Sequence, residues 1–237
     1  MVRAEIMDQV LCRITTRDCT ESPSIDLLSL LLRECPESIQ DQMAHIREAT
    51  DYIYHLPVDV ARQLLSALEP IFISDVSFLN EQVIVMKKGL FRSDIASRLI
   101  AVHGLLLILK SRLLSSDQST ASDIFSASRR CFSHPAAVRQ VLYSGVWQLM
   151  DEVPLVAPFV HGFLRPQMER IFPVCNEAEP VPFRPHSYIQ QSAAGSLEVS
   201  DAIPMLFRSF AKALSLLTES SSTSHSCVMR VTLCRCN

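Results

Sequence analysis

The chain has 237 residues, of which 48% are hydrophobic and 20% are charged, and its formal net charge is −3. This length and hydrophobic fraction allow a substantial core and exclude an intrinsically disordered chain. With five glycines, 7% aromatic residues and no strand-like alternation, the composition argues against a turn-rich all-β fold. We therefore predict an all-α fold.

The first part of the chain carries apolar residues three and four positions apart, between short breaks that contain proline or serine. This spacing is typical of short amphipathic helices. The predicted helices are 4–16, 25–35, 38–54, one beginning near Pro57, and one from Ser74 or Asp75 to Lys88. We expect Pro70 to kink or shorten the fourth helix. We expect Gly89 to end the fifth in the left-handed conformation.

Residues 87–110, KKGLFRSDIASRLIAVHGLLLILK, join a basic segment to a long apolar one. Ser93 or Asp94 is predicted to cap a helix that ends at Leu114. Its apolar part is shorter than the roughly 20 residues that a membrane span requires, so no transmembrane segment is predicted. We interpret His103 as a packing residue rather than a general base, because no nucleophile or acid accompanies it at a recognisable spacing. Gly104 is expected to let another helix approach closely.

The second half of the chain continues the helical pattern. Helices are predicted at 122–133, 136–152, 155–172, with a bend at Pro166, and 199–217. A proline-rich loop is predicted at 173–188. Short helices joined by turns, with apolar residues on broad faces, indicate an α-solenoid of the armadillo or HEAT type, with irregular repeats because no strict sequence period is present.

The predicted domains follow from these elements. They are a helical solenoid segment at 1–114, a serine-rich loop at 115–122, a segment continuing the same stack at 123–217, and a tail at 218–237. We interpret the tail as disordered and of aberrant coding origin. The eight cysteines stand singly or near the end of the chain without a secretory signal peptide, and we interpret them as reduced.

Charge is distributed unevenly along the chain. Residues 87–139 contain nine Lys or Arg and three Asp, a local charge of +6, and the remainder carries −9. Cations on successive solenoid helices can contact DNA phosphates without reading bases. The better candidates are arginines, because the guanidinium group suits phosphate. The candidates are Arg98, Arg129, Arg130 and Arg139, followed by Lys87, Lys88 and Arg92. The alternative is a solvated helix surface with no ligand, in which Lys87 and Lys88 complement a helix carboxyl terminus.

Motifs for catalysis are missing from the sequence. Ser144-Gly145 lacks the nucleophile-elbow pattern, and no phosphate-cradling glycine-rich lysine motif or paired-histidine zinc helix occurs. The spacing H-x-C-x6-C-x-C, formed by His225, Cys227, Cys234 and Cys236, matches no common zinc module. We therefore assign no catalytic residue, metal or cofactor, and predict that the chain is not an enzyme.

Four segments, in this order, resemble the Fanconi anaemia group I family. They are EIMDQVLCRITTR (5–17), ATDYIYHLPVDVARQLLSALEPIF (49–72), the segment 87–110 quoted above, and SRRCFSHPAAVRQVLYSGVWQLM (128–150). A weaker likeness continues through FLRPQMERIF and AIPMLFRSFAKAL to about Leu217. The specificity of the resemblance comes from the order and extent of these matches, which are structural rather than catalytic.

The resemblance implies that this chain is part of a much longer α-solenoid. The family pairs with its D-two paralogue in a nuclear complex for interstrand-crosslink repair, which clamps DNA and is modified by the Fanconi core ubiquitin-ligase complex. The implied partners are thus the D-two paralogue, that ligase complex and double-stranded or branched DNA, with no membrane and no small-molecule substrate. We assign no ubiquitin acceptor among Lys87, Lys88, Lys110 and Lys212. The alternative is an armadillo-like adaptor that binds proteins and has no DNA role.

Overall fold

The computed structural model describes residues 2–15, 22–34, 39–114, 118–171, 189–191, 197–199 and 202–233. The proline-rich segment predicted as a loop at 173–188 lies outside these residues. Side chains are described through Glu219 in the last helix.

Helices dominate the described chain, which confirms the predicted all-α fold class. The helices are α1 (Val2–Thr15), α2 (Ser22–Glu34), α3 (Ile39–Asp51), α4 (Val58–Ala67), α5 (Glu69–Ser74), α6 (Val76–Gly89), α7 (Ile95–Leu114), α8 (Gln118–Ser128), α9 (Ala136–Glu152), α10 (Ala157–Ile171) and α11 (Ile203–Leu233). Short 3₁₀ turns occupy Ile53–His55, Arg129–Ser133 and Pro154–Val156. Two three-residue strands, β1 (Ile189–Gln191) and β2 (Leu197–Val199), pair antiparallel with Gln190 opposite Glu198.

The chain forms two compact units, Met1–Ser133 and His134–Asn237. In the first unit α1 packs against α2 and α3, α2 against α4, and α7 against α4, α6 and α8. The core of this unit is aliphatic with two stacked rings, those of Phe72 and Phe78, whose centroids lie 5.9 Å apart. In the second unit α11 packs against both α9 and α10, with Tyr143 and Leu206 fully buried.

Aspartate caps fix the starts of the two helices that flank the basic segment. The Asp75 carboxylate accepts a hydrogen bond of 3.0 Å from the backbone N–H of Phe78, and Asp94 accepts one of 2.8 Å from that of Ser97. These bonds satisfy backbone donors that the first turn of a helix leaves without partners. Of the two predicted cap candidates Ser93 and Asp94, Asp94 is the cap, and the predicted start of α6 at Ser74 or Asp75 is capped by Asp75. Pro70 lies in the first turn of α5, where its missing N–H is tolerated, and α4 ends before it at Ala67.

Gly89 does not adopt the predicted left-handed conformation. It lies inside α6, and the following residue, Leu90, is also right-handed, with φ −63° and ψ −20°. Glycine is needed here for space, since a Cβ would lie 2.1 Å from the Tyr54 hydroxyl oxygen and 2.8 Å from the Ala101 Cβ. The prediction of a left-handed Gly89 was wrong. A glycine after lysine at a helix end can be there for its conformational freedom or for its small size, and here Tyr54 and Ala101 require the small size.

Gly104 confirms the close helix approach predicted from its place in the apolar segment. A Cβ at this position would lie 2.4 Å from the Met86 Sδ and 3.4 Å from a Leu65 methyl carbon. The missing side chain therefore lets Met86 of α6 lie directly against the backbone of α7.

The serine-rich segment is shorter as a loop than predicted. Residues 118–122 of the predicted loop 115–122 form the first turns of α8. Serine and threonine are only weakly unfavourable in helices. The burial of Ala121 and Ile124, on a helix that packs against α7, outweighs that weak preference.

The end of the chain also differs from the prediction. The last helix begins at Ile203 rather than 199, because residues 197–199 form β2. Its backbone continues to Leu233, through most of the segment 218–237 that we predicted to be disordered. No glycine or proline follows Pro204, so nothing in the sequence breaks this helix once it has started. Three-residue strands are too short to show an alternating pattern, which is why β1 and β2 were missed.

Candidate nucleic-acid interface

Cations gather where α6 ends and α7 begins. Lys87 and Lys88 lie in the last turn of α6, Arg92 lies in the connection, and Arg98 lies in the first turn of α7. Arg130 reaches the same place from the 3₁₀ turn that follows α8. We call the set Lys87, Lys88, Phe91, Arg92, Arg98, Arg129 and Arg130 the basic turn, Arg129 being the exposed neighbour of Arg130 on the same 3₁₀ turn.

Hydrogen bonds hold the backbone of the basic turn. The N–H of Phe91 donates to the Lys88 carbonyl oxygen at 3.0 Å, and the N–H of Arg92 donates to the Gly89 carbonyl oxygen at 3.2 Å. The Nε of Arg98 donates to the Arg92 carbonyl oxygen at 2.7 Å, so α7 is tied to the connection by a charged donor. The exposed side chains of this turn therefore project from an ordered backbone.

Tyr54 supports the basic turn from the interior of the unit. Its hydroxyl donates to the Val85 carbonyl oxygen at 2.9 Å, and its ring lies against Gly89. Burial raises the pKa of Tyr54 far above its usual value, so the phenol stays protonated and keeps donating. The guanidinium of Arg92 lies 5.3 Å from the ring centroid of Tyr54, within cation–π range.

Phe91 and Arg130 form an exposed stack. The Phe91 side chain is 66% exposed, the largest exposure among the phenylalanines with described side chains. The guanidinium carbon of Arg130 lies 4.0 Å from the centre of this ring. This contact brings together two chain segments 39 positions apart, and sequence periodicity offers no signal for it. Arg129 is exposed on the same 3₁₀ turn as Arg130.

One carboxylate belongs to the same region. Ser97, first through its hydroxyl and then through its backbone N–H, lowers the pKa of Asp94 to about 2. Asp94 is therefore ionised at neutral pH, and it lies 3.5 Å from the Nε of Arg92. It partly offsets that one arginine, and the positive charge of the remaining cations stays in excess.

The remaining cations of residues 87–139 have other roles. Lys110 pairs with Glu69 at 3.0 Å. Arg112 is buried and donates to the Phe72 carbonyl oxygen at 3.1 Å. Arg139, one of the predicted phosphate ligands, lies in the second unit, where its guanidinium donates to the carbonyl oxygen of His134. Six of the seven predicted phosphate ligands therefore belong to the first unit, and the structure brings Lys87, Lys88, Arg92, Arg98 and Arg130 together there.

His103 faces a cavity that the sequence did not indicate. The cavity has a volume of about 480 Å³ and is lined by α2, α4 and α7, with Asp26, Arg33, Asp59 and Arg62 among its polar residues. Burial, reinforced by the charge of Arg62, lowers the pKa of His103 to about 4. The imidazole is therefore neutral at pH 7, as expected for a packing residue.

The described residues hold no cluster of three or more His, Cys, Asp or Glu side chains that could bind a metal ion. The side chains of the four residues whose spacing matches no common zinc module lie outside the described set; these residues are His225, Cys227, Cys234 and Cys236. None of the helices, as far as they are described, has the length and apolarity needed to cross a bilayer.

Comparison with known protein families gives a match that lies within the first unit. Residues 1–106 match the family model described as FANCI solenoid 2. The chain is 27% identical over 200 residues to the Fanconi anemia group I protein of Gallus gallus, an alignment that covers 72% of this chain and 15% of the chicken protein. It is 28% identical over 203 residues to the Fanconi anemia group I protein homolog of Mus musculus, covering 73% of this chain and 15% of the mouse protein.

These similarities confirm the resemblance inferred from the four sequence segments. The matched family model is that of a solenoid, which agrees with the consecutive packed helices of α1–α7 and confirms the predicted solenoid class. The chain matches about 15% of the length of each of these relatives.

Proposed function

Because the chain is related to the Fanconi anaemia group I proteins, we propose that it is a helical scaffold acting in nuclear DNA interstrand-crosslink repair. In this proposal it pairs with the D-two paralogue and also has the Fanconi core ubiquitin-ligase complex as a partner. It carries out no catalytic step of its own. The family relationship supports this proposal, together with the helical packing of the first unit.

The basic turn is the part of this scaffold that we propose contacts DNA. The observation that carries the proposal is the convergence of cations from three elements at the connection between α6 and α7. Lys87 and Lys88 lie in the last turn of α6, Arg98 of α7 donates to the Arg92 carbonyl oxygen, and Arg130 of the 3₁₀ turn Arg129–Ser133 contacts the exposed ring of Phe91. Neutralising phosphates releases condensed counterions, which favours binding without regard to sequence. Arg98, Arg129 and Arg130 are the proposed principal contacts, and Lys87, Lys88 and Arg92 add charge. Arg139 is proposed as a separate contact from the second unit.

A binding measurement with duplex DNA tests this proposal. We expect the chain to bind a duplex of about 20 base pairs at low salt, and the double variant Arg129→Ala, Arg130→Ala to bind more weakly. The double variant Arg13→Ala, Arg33→Ala is the matched control, because it removes two exposed arginines from α1 and α2, outside the basic turn. Equal loss of affinity in the two double variants would show that only the net charge matters. No detectable binding at low salt would reject the DNA contact and leave the scaffold proposal.

Pairing with the D-two paralogue is a separate proposal with its own test. Co-purification of this chain with the D-two paralogue from a mixture of the two purified proteins would support it. Failure to retain the paralogue, together with absence of DNA binding, would favour the alternative function, an armadillo-like adaptor that binds other proteins only. That alternative also accommodates the large exposed apolar side chains of the first unit, such as Ile73, Val76 and Ile84.

A further inference from the structure

Phe91 occupies an unusual position for a large aromatic side chain. It is two-thirds exposed in the connection between α6 and α7, on a backbone held by the hydrogen bonds of Phe91 and Arg92. A ring that serves only packing would be covered by neighbouring apolar side chains. The described partner of this ring is instead a guanidinium, that of Arg130, at 4.0 Å from its centre.

We propose that Phe91 and Arg130 form a stacking platform for an unpaired DNA base, and that the basic turn therefore distinguishes single-stranded from double-stranded DNA. This inference rests on the proposed DNA contact of the same cations. It goes beyond that contact because it assigns a separate role to Phe91, which recognises an unpaired base, whereas the cations contact phosphates.

Geometry favours an unpaired base over a paired one. Arg130 lies over one face of the ring, and two-thirds of Phe91 remains exposed beside this contact, which leaves ring surface for a base. Bases within a duplex are already stacked on each other and offer no face to a protein ring. Single-stranded segments expose their bases, and proteins that bind them combine aromatic platforms with basic grooves.

The cations next to Phe91 in the chain are placed to contact the phosphates on either side of a stacked base. Lys87 and Lys88 lie one turn before Phe91, and Arg92 follows it directly. A base stacked on the ring would therefore place its flanking phosphates near cations on both sides along the chain. Arg130 also increases the stacking surface, because a guanidinium plane stacks on bases as well as on aromatic rings.

The test compares Phe91→Ala with the unmodified chain on three DNA probes: an oligothymidine single strand, the same strand with abasic sites in place of its bases, and a duplex of equal length. We expect Phe91→Ala to weaken binding of the oligothymidine strand by about 5- to 150-fold, the range that alanine substitution of one base-stacking residue produces. Binding of the abasic strand and of the duplex should change by less than about twofold. Phe91→Trp should restore binding of the oligothymidine strand.

Several outcomes would overturn the stacking role while leaving the phosphate contact intact. One is an equal loss on all three probes, which would make Phe91 a structural support. Another is unchanged binding of the oligothymidine strand by Phe91→Ala in a chain that still binds duplex. A third is unchanged DNA binding together with weaker pairing with the D-two paralogue, which would make the ring a protein contact. Failure of the unmodified chain to bind any of the probes would instead reject the proposed DNA contact itself. Far-UV circular dichroism checks that the exposed position tolerates each substitution.

Discussion

Gly104→Ala tests the packing between α6 and α7 on which the basic turn is built. In an ordinary helix interior, replacing glycine by alanine stabilises by about 1 kcal/mol. At this position the new methyl group would lie 2.4 Å from the Met86 Sδ and 2.9 Å from its Cγ, well inside van der Waals contact. Overpacking of this kind costs about 1–3 kcal/mol. We therefore expect a net destabilisation of about 1 kcal/mol.

Urea unfolding followed by far-UV circular dichroism measures this change. Gly162→Ala in α10 is the matched control, because nothing lies within 4 Å of a Cβ at that position. It should stabilise the second unit by about 0.5–1 kcal/mol, and the fluorescence of Trp147, the one tryptophan of the chain, reports on that unit. Gly104→Ala combined with Met86→Ala should lose the steric penalty, which appears as a coupling energy in the double-mutant cycle. If Gly104→Ala stabilised as much as Gly162→Ala, the close approach of the two helices would be refuted.

Three further predictions each concern one ionisable side chain, that of Asp94, His103 or Cys131. Asp94→Asn keeps a good helix cap but removes the carboxylate beside Arg92, so duplex affinity should rise while the unfolding midpoint stays nearly constant; weaker DNA binding would contradict the placement of Asp94 among the phosphate-binding cations. His103 has a pKa of about 4 when folded and about 6.5 when unfolded, so its contribution to stability is present above pH 6.5 and is lost as the pH falls towards 4. Urea unfolding at pH 7 and pH 4.5 should therefore show a smaller difference for His103→Gln than for the unmodified chain, and an equal difference would refute the burial of the neutral imidazole. Burial raises the pKa of the Cys131 thiol to about 12, whereas Cys12 is exposed. Iodoacetamide at pH 8 should alkylate Cys12 much faster than Cys131 in the folded chain, as measured by peptide mass spectrometry, and equal rates would contradict the buried position of Cys131.

Most helices could be predicted from patterns among residues that are close together in the sequence. The helix at 136–152 was predicted with its exact bounds, because Pro135 restricts its start and the apolar period is unbroken. The starts of α6 and α7 were each narrowed to two neighbouring residues, Ser74 or Asp75 and Ser93 or Asp94, since capping depends on residues within one helical turn. Features of this kind are determined by neighbours along the chain.

Features that depend on distant neighbours were missed or misread. Gly89 is required by the ring of Tyr54, 35 positions earlier in the chain, and the sequence around Gly89 alone suggested a backbone role instead. The stack of Phe91 and Arg130 has the same origin, because only the folding of α7 and α8 between them brings the two side chains together. The uneven charge along the chain identified the basic region. It could not show that Arg112 is buried within that region.

The salt dependence of duplex binding tests the proposed DNA contact most directly. For each phosphate contact, the logarithm of the association constant falls by about 0.9 for each tenfold increase in salt concentration. We expect a clear negative slope for the unmodified chain, a slope smaller in magnitude by about 1–2 for Arg129→Ala, Arg130→Ala, and an unchanged slope for Arg13→Ala, Arg33→Ala. The same slope in all three proteins, or no slope in the unmodified chain, would contradict phosphate contacts at the basic turn.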